Sequence, residues 1–159
     1  MNIVQLYDVN AIRSIMLHED IFSDIIDDTY NGVSYVPDVE KEIFLGVILD
    51  NTLIGVYRLH WVTGVTLEGH AHILKKYRKE YSKKSAFLAM SWILKNIKLC
   101  EKIDAYVPKC SSNIINFLTL CGFLREGISM KSYKKNNILH DRILLGITRA
   151  RMQEVIENV

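Results

Sequence analysis

Short runs in which apolar and polar residues alternate recur along the chain, and they predict β-strands. Residues 42–49 and 52–62 are the clearest pair, and Asp50-Asn51 between them predicts a tight hairpin turn. Residues 65–74 alternate in the same way and predict a third antiparallel strand. Its two predicted faces are Leu67, Gly69, Ala71 and Ile73 on one side, and Thr66, Glu68, His70 and His72 on the other.

Apolar residues spaced by three and four positions predict helices in four segments. The first helix is capped by Asp8 or Asn10 and runs to about His18. The second covers residues 20–30, and the third is a long helix over residues 79–98. The fourth is short and runs from Ser111 or Ser112 to Leu120.

The remaining segments complete an α+β order. Residues 2–6 predict a first strand, residues 102–107 a strand after the long helix, and residues 124–133 and 139–149 a last hairpin. A terminal helix or tail follows over residues 150–159. The predicted order is β-α-α-β-β-β-α-β-α-β-β, in a single domain that spans the whole chain. Because the long helix permits a parallel crossover pair, we expect a mixed, twisted sheet with helices on both faces.

Composition argues against several classes of protein. The 159 residues are 49% hydrophobic, yet no apolar run reaches ~18 residues, so we expect no membrane span. Twenty Lys and Arg against eighteen Asp and Glu leave a net charge of +2, which argues against nucleic acid as a partner. Three cysteines without a CxxC pair indicate a reducing compartment, so we expect a cytoplasmic protein.

The positive charge is concentrated in one decapeptide. Residues 75–84, KKYRKEYSKK, carry six basic side chains and one acidic one at the start of the long helix. Basic residues oppose the helix dipole at that end, so the pattern favours an anionic ligand or an acidic protein partner. The alternative interpretation is a solvated helix face.

Two segments carry a resemblance to a known family. Residues 71–90 (AHILKKYRKEYSKKSAFLAM) are a strand followed by Tyr-Arg and a long helix. Residues 111–127 (SSNIINFLTLCGFLREG) are a short helix that ends in Cys-Gly-Phe, followed by Arg-Glu-Gly. With the element order, they resemble the GNAT superfamily of acyl-CoA-dependent N-acyltransferases, and the chain looks similar to phage-encoded members. The resemblance implies acetyl-CoA as cofactor and acetyl transfer to a primary amine by direct attack.

The resemblance also implies which residues bind acetyl-CoA. Family members hold the cofactor diphosphate on bare backbone N–H groups at a helix start, where small residues permit a close approach. In this chain the matching segment begins at Arg78, and Tyr81 and Lys83 stand at the two small positions. The implied cofactor-binding residues are Leu74, Arg78, Lys79, Tyr81, Ser82, Lys83, Ser111 and Asn113.

The catalytic candidates are Glu68, His70 and His72, which share one predicted strand face. In the family, this strand lines the acyl site, and a Glu there often serves as the general base for the attacking amine. Two alternatives remain open for the same residues. They are a zinc site, which no further ligand cluster in the sequence supports, and polar side chains that fill the cleft or face solvent.

Two functions of different classes follow. The first is an N-acetyltransferase of this family. The second is a catalytically inactive GNAT-like protein that serves as a phage structural, assembly or host-interaction factor. Tyr81 and Lys83 at the small positions favour the second function, as does Leu118, which stands where many members have a Tyr general acid. A nucleic-acid binder is a weaker third prediction.

Overall fold

The computed structural model describes residues 1–25, 28 and 35–158 of the chain. Their strands form a seven-stranded sheet in the spatial order β1-β2-β3-β4-β5-β7-β6. Neighbouring strands are antiparallel except β4 and β5, which are parallel. The strands are β1 Asn2–Leu6, β2 Glu42–Leu49, β3 Thr52–Trp61, β4 Thr66–Ile73, β5 Lys102–Pro108, β6 Leu124–Lys135 and β7 Ile138–Thr148.

Five helices accompany the sheet in the described part of the chain. The longest, α3, connects the parallel strands β4 and β5, as the sequence predicts. None of the described helices combines the length and apolar character needed to cross a bilayer. The helices are α1 Val9–Met16, α2 Glu19–Ile25, α3 Lys75–Asn96, α4 Ser112–Leu120 and α5 Arg149–Glu157.

Two tight turns set the register of the hairpins. Asp50 and Asn51 have φ of 47° and 62°, and Asn136 and Asn137 have φ of 53° and 60°. Both pairs therefore adopt the left-handed region that two-residue hairpin loops require and that Asn and Asp tolerate. The predicted hairpins 42–62 and 124–149 are confirmed.

The sheet buries apolar side chains on both faces. On one face, Leu67 and Ile73 of β4 pack with Ala89 and Met90 of α3. On the other face, Val56 of β3 packs in a second cluster with residues of α1 and α2, namely Ile12, Ile15, Met16 and Ile21. The predicted α+β class, a mixed sheet with helices on both faces, is confirmed.

The predicted start of α3 is wrong by one turn. We expected the helix to begin at Lys79, but it begins at Lys75, directly after Leu74. The earlier start is possible because Asp20, which lies 55 positions upstream, accepts a hydrogen bond from the Lys75 N–H. The whole basic decapeptide therefore lies within the first three turns of α3.

The predicted second helix differs in its extent. It was expected over residues 20–30, whereas α2 spans Glu19–Ile25. Residues 26, 27, 29 and 30 of that prediction lie outside the described residues.

The first residue of α5, Arg149, binds the end of α3. The Arg149 guanidinium donates to the carbonyl oxygens of Leu94, Ile97 and Cys100, at 2.7, 3.2 and 2.9 Å. These carbonyls lie at the end of α3 and in the turn after it, where intrahelical donors run out. Arg149 therefore supplies the hydrogen bonds that the last turn of α3 lacks.

Candidate active site

The parallel strands β4 and β5 separate partway along the sheet. Their pairing comprises three positions and ends at Glu68 opposite Asp104. Beyond this point β4 stays paired with β3 up to Ile73, and β5 stays paired with β7 up to Pro108. The two strands therefore diverge and leave a wedge-shaped cleft, where Ala71 is exposed although its neighbour His72 is buried.

A polar cluster lies at the closed end of this cleft. Antiparallel pairing sets His60 opposite Glu68 and Arg58 opposite His70, and cross-strand partners project from the same face. This is the face that α1 and α2 partly cover, because Val56 of the same strand belongs to their apolar cluster. The alternation that predicts one face for Glu68, His70 and His72 agrees with this register.

The Glu68 carboxylate lies between two imidazoles. Its Oε1 is 3.3 Å from His70 Nε2, and its Oε2 is 3.6 Å from His60 Nε2. The hydrogen bond from His70 lowers the pKa of Glu68 below its usual value, against the opposing effect of partial burial. Only 15% of the Glu68 side chain is exposed, against 33% of the His70 side chain. The cluster thus holds an ionised carboxylate with a more accessible imidazole beside it.

The three imidazoles of this face form a column. The ring centroids of His60 and His70 are 5.8 Å apart, and those of His70 and His72 are 6.4 Å apart, with nearly parallel planes. His60 Nδ1 is buried and has no hydrogen-bond partner among the described residues.

His72 differs chemically from the rest of the column. Burial, reinforced by the positive charges of neighbouring groups, lowers the pKa of His72 to about 3. His72 is therefore neutral at physiological pH, and its 7% exposure leaves little room for contact with a substrate.

Most other charges on this face are paired. Arg58 Nε donates to Glu42 at 3.0 Å, and Lys102 Nζ lies 2.9 Å from Asp104 and also contacts Glu126. Within the described ranges, Glu68 forms an ion pair only with the two histidines. The charge of Arg142 also favours the ionised form of Glu68.

The first turn of α3 contains several of the implied cofactor-binding residues. Asp20 Oδ2 accepts from the Lys75 N–H at 3.0 Å. Arg78 turns back, and donates to the Ile73 carbonyl at 2.7 Å and to the Asp20 carbonyl at 3.0 Å. Leu74, the residue before the helix, is 9% exposed and packs in the α1 cluster. A carboxylate and a guanidinium of the chain itself thus fill the space in front of this helix.

The remaining cofactor candidates are spread over two helices. Lys79 and Lys83 are exposed on α3, and the Tyr81 ring is half-buried, 6.2 Å from the Tyr77 ring. The Ser82 carbonyl accepts from Ser85 within the same helix. Ser111 precedes α4 without a side-chain capping bond, and Asn113 is exposed in the first turn of α4.

Two residues of this region have no local signal in the sequence. His60 is brought to Glu68 only by the register of β3 against β4. Asp20 reaches α3 only through the placement of α2. The alternation of β3 gives the face of His60, but not its distance from Glu68.

Comparison with solved structures identifies the architecture. A point mutant of the spermidine N-acetyltransferase SpeG from Vibrio cholerae matches with a TM-score of 0.77 at 17% identity, over 96% of this chain and 97% of that one. A GNAT-family acetyltransferase from Bacillus anthracis matches with a TM-score of 0.70 at 17% identity, over 94% and 96%. The chain has the GNAT fold. No protein-family model and no curated protein matches its sequence.

The GNAT fold gives a test of whether acetyl-CoA fits this chain. The pairing of β4 and β5 ends before Ala71, which is exposed, so the strands themselves do not close the place where the family holds the acyl arm. The diphosphate end does not fit the structure as it stands. The Asp20 carboxylate already occupies the first N–H of α3, and a diphosphate would meet a like charge.

Proposed function

We propose that this chain is an N-acetyltransferase that acts on a primary amine. The observation that carries the proposal is the Glu68 carboxylate held between His60 and His70 at the point where β4 and β5 separate. The GNAT fold of the acetyltransferases it resembles supports the same reaction class. Fold alone does not assign chemistry, so the proposal depends on the cluster.

Glu68 attracts the acceptor amine in this proposal. At neutral pH a primary amine is an ammonium ion, and an ionised carboxylate stabilises it at short range. The lowered pKa of Glu68 keeps the carboxylate charged. Arg58 and Lys102 pair with other acids, and the direct partners of Glu68 are two histidines, so a cationic amine can be attracted to its carboxylate.

His70 then accepts the proton that the amine must lose before it attacks. Because His70 Nε2 faces Glu68 Oε1, the tautomer with a proton on Nε2 is favoured and the lone pair is on Nδ1. His70 is thus the proposed general base, while Glu68 orients the His70 ring and attracts the ammonium ion to the cluster. His72, buried and neutral, supports the His70 ring rather than exchanging protons.

Acetyl-CoA is the proposed acyl donor. The resemblance to GNAT acetyltransferases supports it, and so does the cleft beside Ala71. The proposed cofactor contacts stay those that the resemblance implies, namely Leu74, Arg78, Lys79, Tyr81, Ser82, Lys83, Ser111 and Asn113. No reaction step is assigned to the donor, because its diphosphate end does not fit beside Asp20 in this structure.

A second candidate is a catalytically inactive GNAT-fold protein. It is favoured by the closed first turn of α3 and by Tyr81 and Lys83 at positions where the family has small residues. Such a protein would serve as a phage structural, assembly or host-interaction factor, with the exposed lysines of α3 available to an acidic protein partner.

The cytoplasm is the proposed location. The structure pairs none of the three cysteines, which suits a reducing compartment. Burial raises the pKa of Cys121 to about 11, so its thiol stays protonated and unreactive.

An acetylation assay distinguishes the two candidates. The chain is incubated with acetyl-CoA and a panel of primary amines, including polyamines, Lys-containing peptides and peptides with free N-termini. We expect an amine that gains an acetyl group at a rate proportional to protein concentration, measured by mass spectrometry. If no amine in the panel is acetylated above the protein-free reaction, and the Asp20→Ala variant does no better, the inactive candidate is the correct one.

A further inference from the structure

We infer that the Asp20 carboxylate closes the first turn of α3 to diphosphates, so that it must leave the Lys75 N–H before a CoA-type ligand binds. The inference rests on the proposed function, because it concerns how the proposed donor reaches its site. In this view Asp20 is an autoinhibitory residue, and its carboxylate contact with Lys75 is the part that opens.

The contact has three hydrogen bonds that involve both helices and the end of β4. Lys75 N–H donates to the Asp20 carboxylate, and the Arg78 side chain donates to the Asp20 carbonyl, each at 3.0 Å. Arg78 also donates to the Ile73 carbonyl at 2.7 Å. The guanidinium thus ties α2 to the strand end and is not turned outward to an incoming anion.

Charge explains why the contact holds in the absence of ligand. The first turn of α3 contains no acidic residue, while Lys75, Lys76 and Arg78 add positive charge to the positive end of the helix dipole. The Asp20 carboxylate offsets this charge from outside the helix. A diphosphate competes for the same N–H group and the same positive charges, and it carries more negative charge than one carboxylate.

The described contacts of α2 place the Asp20 carboxylate at the start of α3. Ile21 is the described side chain of α2 that is fully buried, at 1% exposure, in the apolar cluster of α1. His18 Nδ1 accepts from the Asp20 N–H at 3.1 Å, which fixes the start of α2.

Titration of acetyl-CoA by calorimetry tests the inference on the full chain. The variants are Asp20→Ala, which removes the carboxylate, and Asp20→Asn, which keeps an acceptor for Lys75 N–H but removes the charge. Glu40→Gln, an exposed acid in the turn before β2, is the matched control for the loss of one negative charge. Inorganic pyrophosphate is the second probe, because it tests the diphosphate site without the acyl arm.

We expect Asp20→Ala to bind acetyl-CoA and pyrophosphate at least tenfold more tightly than the unmodified chain, and Asp20→Asn to tighten binding by a smaller factor. Glu40→Gln should leave both affinities unchanged. The backbone amide of Lys75, followed by NMR, should shift when pyrophosphate is added to Asp20→Ala. If Asp20→Ala does not fold, the comparison is made with Asp20→Asn.

Equal affinity of the unmodified chain and the Asp20 variants overturns the inference, whether both bind tightly or neither binds. Failure of the proposed function has a different signature. If an Asp20 variant binds acetyl-CoA more tightly but acetylates no amine, the closure by Asp20 is supported and the proposed enzymatic function is contradicted. If amines are acetylated but the Asp20 variants bind acetyl-CoA no more tightly, only the closure is contradicted.

Discussion

Glu68 and His72 illustrate how burial assigns different chemistry to residues on the same strand face. Glu68 lies where β4 leaves β5, with 15% of its side chain exposed and two imidazoles beside it. His72 lies four residues further along, where burial keeps it neutral. Position along the strand therefore decides which of these groups is charged and reachable by a substrate.

Glu68 should stabilise the protein in a pH-dependent way. In the folded state the pKa of Glu68 lies below 4.5, the value of a free glutamate side chain. Its contribution to the free energy of unfolding is therefore fully present above about pH 4.5 and is lost as the pH falls below that value. The Glu68→Gln variant lacks this contribution at every pH. We expect the difference in free energy of unfolding between the two proteins, measured with urea, to shrink on acidification. A difference that grows instead would contradict the lowered pKa.

His72 should destabilise the fold at acidic pH. Its pKa falls from 6.5 in the unfolded chain to about 3 in the fold, so below pH 6.5 the unfolded chain takes up a proton that the folded one does not. The group therefore destabilises the fold by up to about 1.4 kcal/mol per pH unit between about pH 6 and about pH 4. Urea unfolding of His72→Gln should show a shallower loss of stability over this range. His140→Gln, at the far hairpin, is the control.

At the scale of elements, Gly122 sets the approach of α5 to the end of α4. It has φ of 96°, and a Cβ there would lie 2.7 Å from a methyl group of Val155. We expect Gly122→Ala to cost about 2 kcal/mol, from the strained backbone and the contact together. Chemical denaturation measures it, and Gly64→Ala, where a Cβ meets no atom within 4 Å, should be nearly neutral.

Arg149 stabilises the C-terminal end of α3. Its guanidinium donates to the carbonyl oxygens of Leu94, Ile97 and Cys100. Arg149→Lys keeps the charge but loses the forked geometry. We expect a loss of about 2 kcal/mol in the free energy of unfolding. Full stability in the Lys variant would mean that charge alone holds the end of α3.

The elements were predictable to the extent that their signals are local. Alternation and the turn residues Asp50-Asn51 specify the hairpin 42–62, and its observed strands agree closely with the prediction. The start of α3 was not predictable in this way, because six basic residues argue against a helix start at Lys75. The compensating carboxylate belongs to Asp20, and only the folded chain brings it there.

At the scale of the whole molecule, only part of the candidate site was predictable from the sequence. Alternation within β4 is enough to put Glu68, His70 and His72 on one face. It gives neither the contact between His60 and Glu68 nor the burial that sets His72 apart, because both depend on how strands and helices pack.

The net charge of +2 also hides an uneven distribution. Exposed lysines crowd the first three turns of α3, while the acids and bases of the opposite face are largely paired. The two faces of the sheet therefore present different surfaces, one basic along a helix and one nearly balanced around Glu68. This division suits an anionic donor on one side of the cleft and a cationic acceptor on the other.

The most direct test of the proposed chemistry is the rate of amine acetylation by three proteins at saturating acetyl-CoA. These are the unmodified chain, His70→Ala and the control His140→Ala, followed by release of the CoA thiol. We expect His70→Ala to lose on the order of 100-fold in kcat, as removal of a general base does, while it stays folded at the assay temperature, and His140→Ala to keep full activity. Equal kcat in His70→Ala and the unmodified chain would contradict a catalytic role for the cluster around Glu68.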